Sequence, residues 1–171
     1  WSNLTIFWGC GTNLHRSPYN SRNHEYYSED AVLTSGQAVA FISGGKEYGV
    51  IIAPKHLAFN DTEINRTGVS VFMTEQQARE NELRGTQAAI EDAGALGVMT
   101  AFNRVGITAA NAHTGLLKNI LRGEWGFKGL ESQDFIMNPN YAVLKEYALN
   151  GGTMTTFTGE NTMTAVSEKF A

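Results

Sequence analysis

Four polar clusters occur along this chain, each at the point where an apolar run ends. In chain order they read HRSPYNSRNHEYYSED (15–30), KHLAFNDTEINR (55–66), MTAFNR (99–104) and SQDF (132–135). The apolar runs before them predict β-strands, and most of the stretches between them predict helices. A parallel α/β sheet gathers the C-terminal ends of its strands along one edge, where β/α barrels build their active sites. The spacing therefore predicts an enzyme cleft to which all four clusters contribute.

Lys55 and His56 directly follow an apolar run that ends at Pro54. A lysine ammonium beside a neutral imidazole can bind two neighbouring hydroxyl groups or hold a carboxylate. A solvated lysine next to a packed histidine is the structural alternative. The apolar run before the pair and the polar stretch after it favour a binding role.

The first cluster combines Arg22 with several carboxylates and three tyrosines. An ordered loop of this length inside a compact domain is usually functional. Aromatic rings beside charged groups suit sugars, because a sugar offers an apolar face and a hydroxyl edge. The alternative is a loop held by its own ion pairs, which is the interpretation that we favour for Glu29 and Asp30.

Asp134 is the carboxylate best placed for chemistry. It follows a predicted strand and precedes Phe135, so it should lie at the edge of the sheet with an apolar wall beside it. Lys55 and Arg22 nearby would lower the pKa of its carboxyl group and keep it ionised at neutral pH. A nucleophile or an electrostatic stabiliser needs that charged state. For a lone aspartate, the alternative is a turn or helix-capping role.

The sequence has no pattern typical of a metal or nucleotide site. The four histidines, His15, His24, His56 and His113, do not have a ligand spacing such as HExxH. No glycine-rich phosphate loop precedes a helix. The single cysteine, Cys10, excludes an internal disulfide and a multi-cysteine zinc site. We therefore expect no cofactor.

Composition and charge limit the classes of partner. With 171 residues, of which 42% are hydrophobic and 18% charged, the chain can bury one core of ordinary size. The net charge of −4, with acids and bases interspersed, does not favour binding to nucleic acid or to an anionic membrane. No apolar stretch approaches the roughly 20 residues of a membrane span, and no export signal is visible. We expect neither a nucleic acid nor a membrane partner, and the compartment stays open.

Apolar patterning predicts about five strands alternating with four helices. The expected strands cover residues 4–8, 48–53, 97–102, 129–134 and 153–158. The expected helices cover residues 31–43, 74–93 and 113–121, with a fourth that starts at Asn138 and ends before Gly151. Such alternation predicts an α/β fold with a parallel sheet. A complete (β/α)8 barrel needs eight pairs and typically ~250 residues. We expect residues 1–171 to form a single domain, the C-terminal portion of such a barrel, rather than a smaller open α/β domain.

Taken in order, these motifs resemble the catalytic barrel domain of family 3 glycoside hydrolases, the β-glucosidases and related exo-acting retaining enzymes. The resemblance covers most of residues 8–136 and includes the segment LLKNILRGEWGFKG (116–129) before Asp134. It implies that Asp134 is the nucleophile that forms a glycosyl-enzyme intermediate. The substrate would then be a β-glycoside or oligosaccharide.

The resemblance also implies residues that bind the sugar. Arg22, Lys55 and His56 match positions that bind hydroxyl groups of the non-reducing terminal sugar. Phe102 falls where many members of the family have an aromatic residue beside the same sugar. Arg66 matches a position near the pocket.

Some parts of the family pattern have no counterpart in this sequence. The acid/base carboxylate of the family belongs to a second α/β domain after the barrel, and the early barrel strands supply a further sugar-binding aspartate. Ser21 occupies the place of a usual glycine, and Gly152-Thr153 replaces a pattern that usually contains aspartate. Glu131 and Gln133 interrupt a strand that is usually apolar. The resemblance therefore implies a fragment that is weak or inactive by itself.

Three alternatives remain open. The first is a sister specificity, such as a β-xylosidase or an N-acetylglucosaminidase, although Leu57-Ala58-Phe59 does not resemble the glycine- and histidine-rich loop of the latter. The second is a carbohydrate-binding pseudoenzyme with a degraded nucleophile strand. The third is an aldolase-like barrel in which Lys55 forms a Schiff base.

Overall fold

The computed structural model describes residues 5–135 and 144–156. Its main sheet has four parallel strands, which lie in the spatial order β1-β2-β4-β7. These strands are β1 (Ile6–Gly11), β2 (Ile51–Leu57), β4 (Gly97–Thr100) and β7 (Leu130–Gln133). Each strand of this sheet lies beside the next one along the chain, with helical connections between them. The predicted α/β fold built from parallel (β/α) units is confirmed.

Helices occupy the connections between these strands, and a further helix follows β7. They are α1 (Ala31–Glu47), α2 (Glu75–Gln77), a π-helical segment (Ala78–Glu82), α3 (Arg84–Glu91), a second π-helical segment (Gly115–Glu124) and α4 (Leu144–Leu149). Among the described residues, no helix combines the length and the apolar character needed to cross a membrane.

A second, small sheet was not predicted. It contains β3 (Ser70–Val71), β5 (Arg104–Val105) and β6 (Thr108–Ala109). These strands are two residues long, which is too short for a period-2 pattern to stand out in the sequence. They connect the loops that follow β2 and β4, and so stabilise the edge of the main sheet where the polar clusters lie.

Two helix starts agree with the capping residues in the sequence. Asp30 precedes α1, and its carboxylate accepts a hydrogen bond from the Leu33 N–H at 2.7 Å. Thr74 precedes α2, and its hydroxyl accepts one from the Gln77 N–H at 3.2 Å. Each cap satisfies a backbone donor that the first helical turn leaves unpaired.

The predicted end of α1 is wrong, because the helix continues through Gly44 and Gly45 to Glu47. A Cβ atom on Gly45 would lie 2.5 Å from a side-chain carbon of Ile52, so glycine is required there for close packing of α1 against β2. The helix ends instead before Gly49, whose φ of 71° lies in the left-handed region that favours glycine.

The predicted bounds of β2 are also wrong. The strand covers Ile51–Leu57 rather than residues 48–53, and it continues through Pro54. Proline is tolerated in a strand where the pairing is irregular, and the register of β2 shifts against both of its neighbours near this point. Lys55 and His56 therefore belong to the strand itself, which holds them more rigidly than a following loop would.

The other elements differ from the expectation by a few residues at their ends. The first strand covers Ile6–Gly11, and the predicted helix of residues 74–93 contains a π-helical segment before α3. The predicted start of the last helix, at Asn138, lies outside the described residues. So do the final residues of the strand expected at 153–158, of which the structure has one bridge, between Ser132 and Met154.

The apolar core lies between the main sheet and its helices. Five apolar residues of the predicted helix at 74–93 are buried, namely Ala78, Leu83, Ala89, Ile90 and Ala93. Leu117 and Leu121 of the second π-helical segment pack into the same core. In these two segments the apolar residues of the predicted helices therefore form the buried faces, whereas in α1 the apolar Val32 and Phe41 are exposed.

Strand β7 carries an unusual buried carboxyl group, that of Glu131, which is 1% exposed. The nearby hydroxyl groups of Thr100 and Tyr147 donate to backbone carbonyl oxygens. Burial raises the pKa of Glu131 to about 8, although the hydroxyl groups of Tyr147 and Thr100 and the charge of Arg122 oppose the rise. The group is therefore largely protonated in the folded protein at neutral pH.

We predict that Glu131→Gln stabilises the protein, and that the gain grows as the pH rises. The unfolded chain loses the Glu131 proton near the ordinary glutamate pKa, whereas the folded protein retains it up to pH 8 or so. Wild-type stability therefore decreases as the pH rises between these two values. The variant should gain about 1–3 kcal/mol in the free energy of unfolding near neutral pH, and little below the ordinary pKa. Urea denaturation at several pH values measures it.

Glu47→Gln, at the exposed end of α1, is the matched control and should have no comparable pH-dependent gain. A Glu131→Gln protein whose stability follows the wild-type pH profile would contradict the assignment of a buried, protonated carboxyl.

Candidate active site

Five of the six predicted site residues line one cavity of about 280 Å³ at the C-terminal ends of the strands. Lys55 and His56 lie near the C-terminal end of β2, and Asp134 directly follows β7. Arg22 and Arg66 lie in the loops after β1 and β2. The complete lining consists of Trp8, Arg22, Lys55, His56, Glu63, Arg66, Met99, Asp134 and Phe135.

The carboxyl group of Asp134 has one fixed oxygen and one that is available to the cavity. Its Oδ1 accepts a hydrogen bond from the Phe135 N–H at 2.8 Å. Its Oδ2 lies 3.4 Å from Nε2 of His56 and 3.7 Å from Nη1 of Arg66. The residue is 8% exposed, so this oxygen meets little bulk water.

The expected direction of the Asp134 pKa is wrong, because the pKa is raised above its ordinary value. Burial is the main cause, since the charged form loses its hydration. The Phe135 N–H and the neighbouring cations oppose this rise and favour the carboxylate. Those cations are Arg66, Arg22 and Lys55. The sequence pattern identified the cations but not the depth at which the carboxyl is buried.

His56 is neutral in this site. It is 2% exposed, and burial together with three neighbouring cations holds its pKa well below the ordinary value. Nε2 accepts a hydrogen bond from Arg22 at 3.2 Å, which assigns the ring proton to Nδ1. The 3.4 Å contact between Nε2 and Asp134 is therefore not an ion pair.

Buried amide and hydroxyl groups fix the position of His56. The Asn13 side chain accepts from the His56 N–H at 2.9 Å and donates to its carbonyl oxygen at 3.0 Å. The Tyr26 ring lies edge-on to the imidazole, with centroids 6.4 Å apart. The Tyr26 hydroxyl donates to the Asn60 carbonyl oxygen at 3.2 Å and accepts from the Asn60 side-chain amide at 3.0 Å.

Two glutamates offset the positive charge around the cavity. Glu25 pairs with Arg22 and lies 3.6 Å from the Lys55 ammonium. Glu63 lies 3.1 Å from Arg22 and 3.2 Å from Arg66. Together with Asp134, the two glutamates balance the three cations in charge, and the neutral His56 adds none.

Phe102 is the predicted residue that does not line the cavity. Its ring lies against Arg66, with the guanidinium carbon 4.3 Å from the ring centroid, and it is 8% exposed. Such a cation–π contact orients the guanidinium group. The structure thus positions Phe102 behind Arg66, one step removed from the space that a ligand would occupy.

A buried ion cluster holds the loop that carries Glu63 and Arg66. Arg16 lies 3.3 Å from both Asp61 and Glu82. Burial raises the pKa of both carboxyl groups, because one guanidinium cannot fully compensate two of them. The cluster ties the loop after β2 to the π-helical segment that ends at Glu82.

Apart from Phe135, which the sequence indicated as an apolar wall beside Asp134, three lining residues were not predicted, namely Trp8, Glu63 and Met99. Met99 lies in the C-terminal half of β4, so its position could have indicated it, whereas Trp8 is the third of the six residues of β1. Glu63 belongs to the polar stretch after β2, but no spacing rule in the sequence distinguishes it from its neighbours.

A larger groove of about 500 Å³ lies between the small sheet and the helices, and it contains none of the predicted site residues. Its walls are largely apolar, and Arg79 at its edge is already paired with Glu75 and Glu124. Within the described part of the chain, no three residues among histidine, cysteine, aspartate and glutamate are grouped to hold a metal ion. The charged cavity is thus the better candidate for chemistry.

A family model described as the glycosyl hydrolase family 3 N terminal domain matches residues 3–151. The chain belongs to glycosyl hydrolase family 3. The resemblance inferred from the motifs is confirmed, and so is the expectation of a glycoside hydrolase at the level of the family.

Curated relatives within family 3 carry β-glucosidase names. The probable beta-glucosidase J of Emericella nidulans is 38% identical over 130 residues, which is 76% of this chain and 15% of that protein. The beta-glucosidase of Rhizobium radiobacter is 40% identical over 123 residues, which is 72% of this chain and 15% of that protein. The chain therefore spans about 15% of the length of these relatives.

Solved family 3 structures share the fold. The beta-glucosidase 3B of Thermotoga neapolitana in complex with glucose has a TM-score of 0.82 and 34% identity, covering 88% of this chain and 21% of that one. The beta-glucosidase of Kluyveromyces marxianus in complex with glucose has a TM-score of 0.86 and 27% identity, covering 96% and 20%. The four parallel strands are thus part of a family 3 barrel domain, as predicted.

We predict that the His56 imidazole stays neutral through the pH range in which an ordinary histidine gains its proton, because protonation would add a fourth cation to a desolvated site. NMR of 15N-labelled histidine should give ring shifts for His56 that are constant over this range and typical of the Nδ1–H tautomer. A His56 titration with its midpoint at the ordinary histidine value would contradict the neutral assignment.

Proposed function

We propose that the chain forms the nucleophile-bearing part of a retaining, exo-acting β-glycosidase that acts like a β-glucosidase. Its substrates are terminal, non-reducing β-D-glycosyl residues. One observation supports this most strongly: a buried carboxylate, Asp134, faces a small cavity with one free oxygen, among groups suited to hydroxyl binding. The cavity volume of about 280 Å³ is suited to a single sugar ring rather than to the interior of a polysaccharide.

In this proposal Asp134 attacks the anomeric carbon through Oδ2. The Phe135 N–H holds Oδ1, so that the second oxygen points to the cavity in a fixed direction. Nucleophilic attack requires the charged form, which the surrounding cations favour against the effect of burial. As the bond from Oδ2 to the anomeric carbon forms, the glycosidic C1–O bond breaks and the leaving oxygen takes a proton from the acid/base carboxyl group. Water then hydrolyses the covalent glycosyl-enzyme with retention of configuration.

The basic residues bind the hydroxyl groups of the sugar. Lys55 and Arg22 donate hydrogen bonds as cations. The neutral imidazole of His56 lines the cavity beside them and offers a polar ring edge to the sugar. Arg66 donates from the far side, where the ring of Phe102 holds its guanidinium in place. Groups fixed in this way stabilise an oxocarbenium-like transition state through the sugar hydroxyls.

The second carboxyl group of a retaining glycosidase lies about 5–5.5 Å from the nucleophile. Among the described residues, Glu25 and Glu63 are the other carboxylates of the site, and both are engaged with cations. We infer that the acid/base comes from a second domain of the full-length protein, together with the remaining strands of the barrel. General-acid catalysis of roughly 10²–10⁴-fold is then missing from this chain alone.

One rival conflicts with a specific contact. A Schiff-base lysine needs a nitrogen that is free to attack a carbonyl group, whereas Nζ of Lys55 is paired with the Glu25 carboxylate at 3.6 Å. A sister specificity such as β-xylosidase keeps the same nucleophile and the same basic residues. A pure carbohydrate-binding pseudoenzyme does not need the free Oδ2 of Asp134.

We predict that a 2-fluoro β-glucoside with a good leaving group labels Asp134 in the full-length protein, since the fluorine slows hydrolysis of the covalent intermediate. Peptide mass spectrometry should locate the label on Asp134. The Asp134→Asn protein should not be labelled, and its kcat for an aryl β-glucoside should be lower by at least about 10³-fold. Asp92→Asn, at the exposed end of α3, is the matched control and should retain both. Sugar binding without any label in the wild-type protein would favour the pseudoenzyme.

We also predict that the 171-residue chain alone turns over aryl β-glucosides far more slowly than the full-length protein, because the residues that the structure describes offer the cavity only a second carboxyl group that is already paired with cations. A comparison of kcat for the two proteins at equal concentration measures the difference. Turnover by the isolated chain at ordinary enzyme rates would contradict the proposed division of the active site.

A further inference from the structure

Glu63 lines the cavity, and its ion-pair partners are Arg22 and Arg66. We propose that Glu63 is a positioning residue, which holds the guanidinium groups of Arg22 and Arg66 away from Asp134 and so keeps that carboxylate available for attack. This inference rests on the proposed function. It states that the reactivity of the Asp134 carboxylate depends on the carboxylate of Glu63.

The two carboxylates compete for one guanidinium. Nη1 of Arg66 lies 3.2 Å from Oε2 of Glu63 and 3.7 Å from Oδ2 of Asp134. Glu63 therefore makes the direct ion pair, and Asp134 is left with the longer contact. An Asp134 oxygen in a direct pair with Arg66 would have its lone pairs directed at the cation and not at a sugar.

Glu63 also holds Arg22. Its Oε1 lies 3.1 Å from Nη1 of Arg22, while Nη2 of the same guanidinium donates to His56 at 3.2 Å. Together with the pair to Glu25, these two interactions fix the plane of the Arg22 guanidinium. Glu63 thus takes part in orienting both arginines.

The position of Glu63 is itself constrained by buried groups. The Asn60 amide donates to its Oε1 at 3.1 Å, and Asn60 is 1% exposed. On the opposite side of Arg66, the ring of Phe102 packs against the guanidinium. The ion pair between Glu63 and Arg66 is therefore held between two fixed neighbours.

The charge balance gives this arrangement a measurable effect. Asp134 is surrounded by Arg66, Arg22 and Lys55, with a neutral His56 beside it. The phenol of Tyr26, near Arg22, is uncharged because burial raises its pKa.

Glu25 compensates Arg22 and Lys55, and Glu63 compensates Arg66 together with Arg22. Without the Glu63 charge, the cations exceed the carboxylates by one. Asp134 then becomes the nearest available anion, so its pKa and its nucleophilicity both fall.

The test is the pH profile of kcat/KM for the full-length Glu63→Gln protein. Glutamine keeps the size and most hydrogen bonds but removes the charge. We expect kcat/KM to fall about 10- to 100-fold. The acidic limb of the profile, which reports the pKa of the nucleophile in the free enzyme, should move about 0.5–1 pH unit to lower pH. Glu63→Asp keeps the charge, so its acidic limb should stay at the wild-type position even where kcat falls.

Glu91→Gln, on the exposed surface of α3, is the control for removing a distant carboxylate and should leave the profile unchanged. An acidic limb that does not move in Glu63→Gln, or that moves to higher pH, overturns the inference. A merely structural role would lower activity without moving the limb.

Failure of the inference and failure of the proposed function give different results. Absence of the 2-fluoro label on Asp134 in the wild-type protein removes the proposed function. A labelled wild-type protein with an unmoved limb in Glu63→Gln removes only the role of Glu63.

If Glu63→Gln by itself does not fold, the charge of Glu63 is removed in the Arg66→Gln protein instead, and the acidic limbs of the single and the double variant are compared. Arg66→Gln should move the acidic limb to higher pH, because Asp134 loses a cation. Adding Glu63→Gln should then lower the limb again, since Arg22 loses its partner. If the acidic limb of kcat/KM lies at the same pH in Arg66→Gln and in the double variant, the inference is overturned.

Discussion

Asp134 lies among three cations and is itself 8% exposed, and the site depends on how that charge is balanced. Removing an unpaired ion from water costs several kcal/mol, so the cations require carboxylate partners other than Asp134. Glu25 and Glu63 fill this requirement from two different loops. The loops after β1 and β2 must therefore adopt one particular arrangement, because each brings a cation and the carboxylate that compensates it.

Neutral polar groups form the second level of support. His56 could not remain uncharged in contact with a carboxylate unless burial and nearby cations disfavoured its protonation. Asn13 holds its backbone through two hydrogen bonds, and Tyr26 and Asn60 hold each other beside its ring. These groups are buried and hydrogen-bonded, which fixes geometry more strictly than apolar packing does. The histidine of the pair is thus as much a structural element of the pocket as a group that could contact a sugar.

The sequence predicted the parallel strands, the buried helix faces and the residues around the cavity, because each depends on local patterning or on motif order. It did not predict quantities that depend on tertiary contact. Gly45 resembles a helix stop but is required for packing against Ile52, and Pro54 resembles a strand end but lies at a register shift. The pKa of Asp134 was expected to fall because its cations were visible in the sequence, whereas its burial was not. Phe102 is behind Arg66 for a similar reason, since the direction of a side chain after a strand depends on the loops that pack on it.

Polar residues in β7 could suggest a strand that has lost its catalytic role, but their direction argues otherwise. Side chains alternate between the faces of a strand, so Glu131 and Gln133 lie opposite to the face that continues to Asp134. Gln133 accepts from the Asn111 amide at 2.9 Å on that other face, and Glu131 is buried near Tyr147. The destabilisation caused by Glu131 therefore falls on the packing between sheet and helices. The backbone pairing of β7 with β4 is retained through all four residues of the strand, so the strand still presents Asp134 to the cavity.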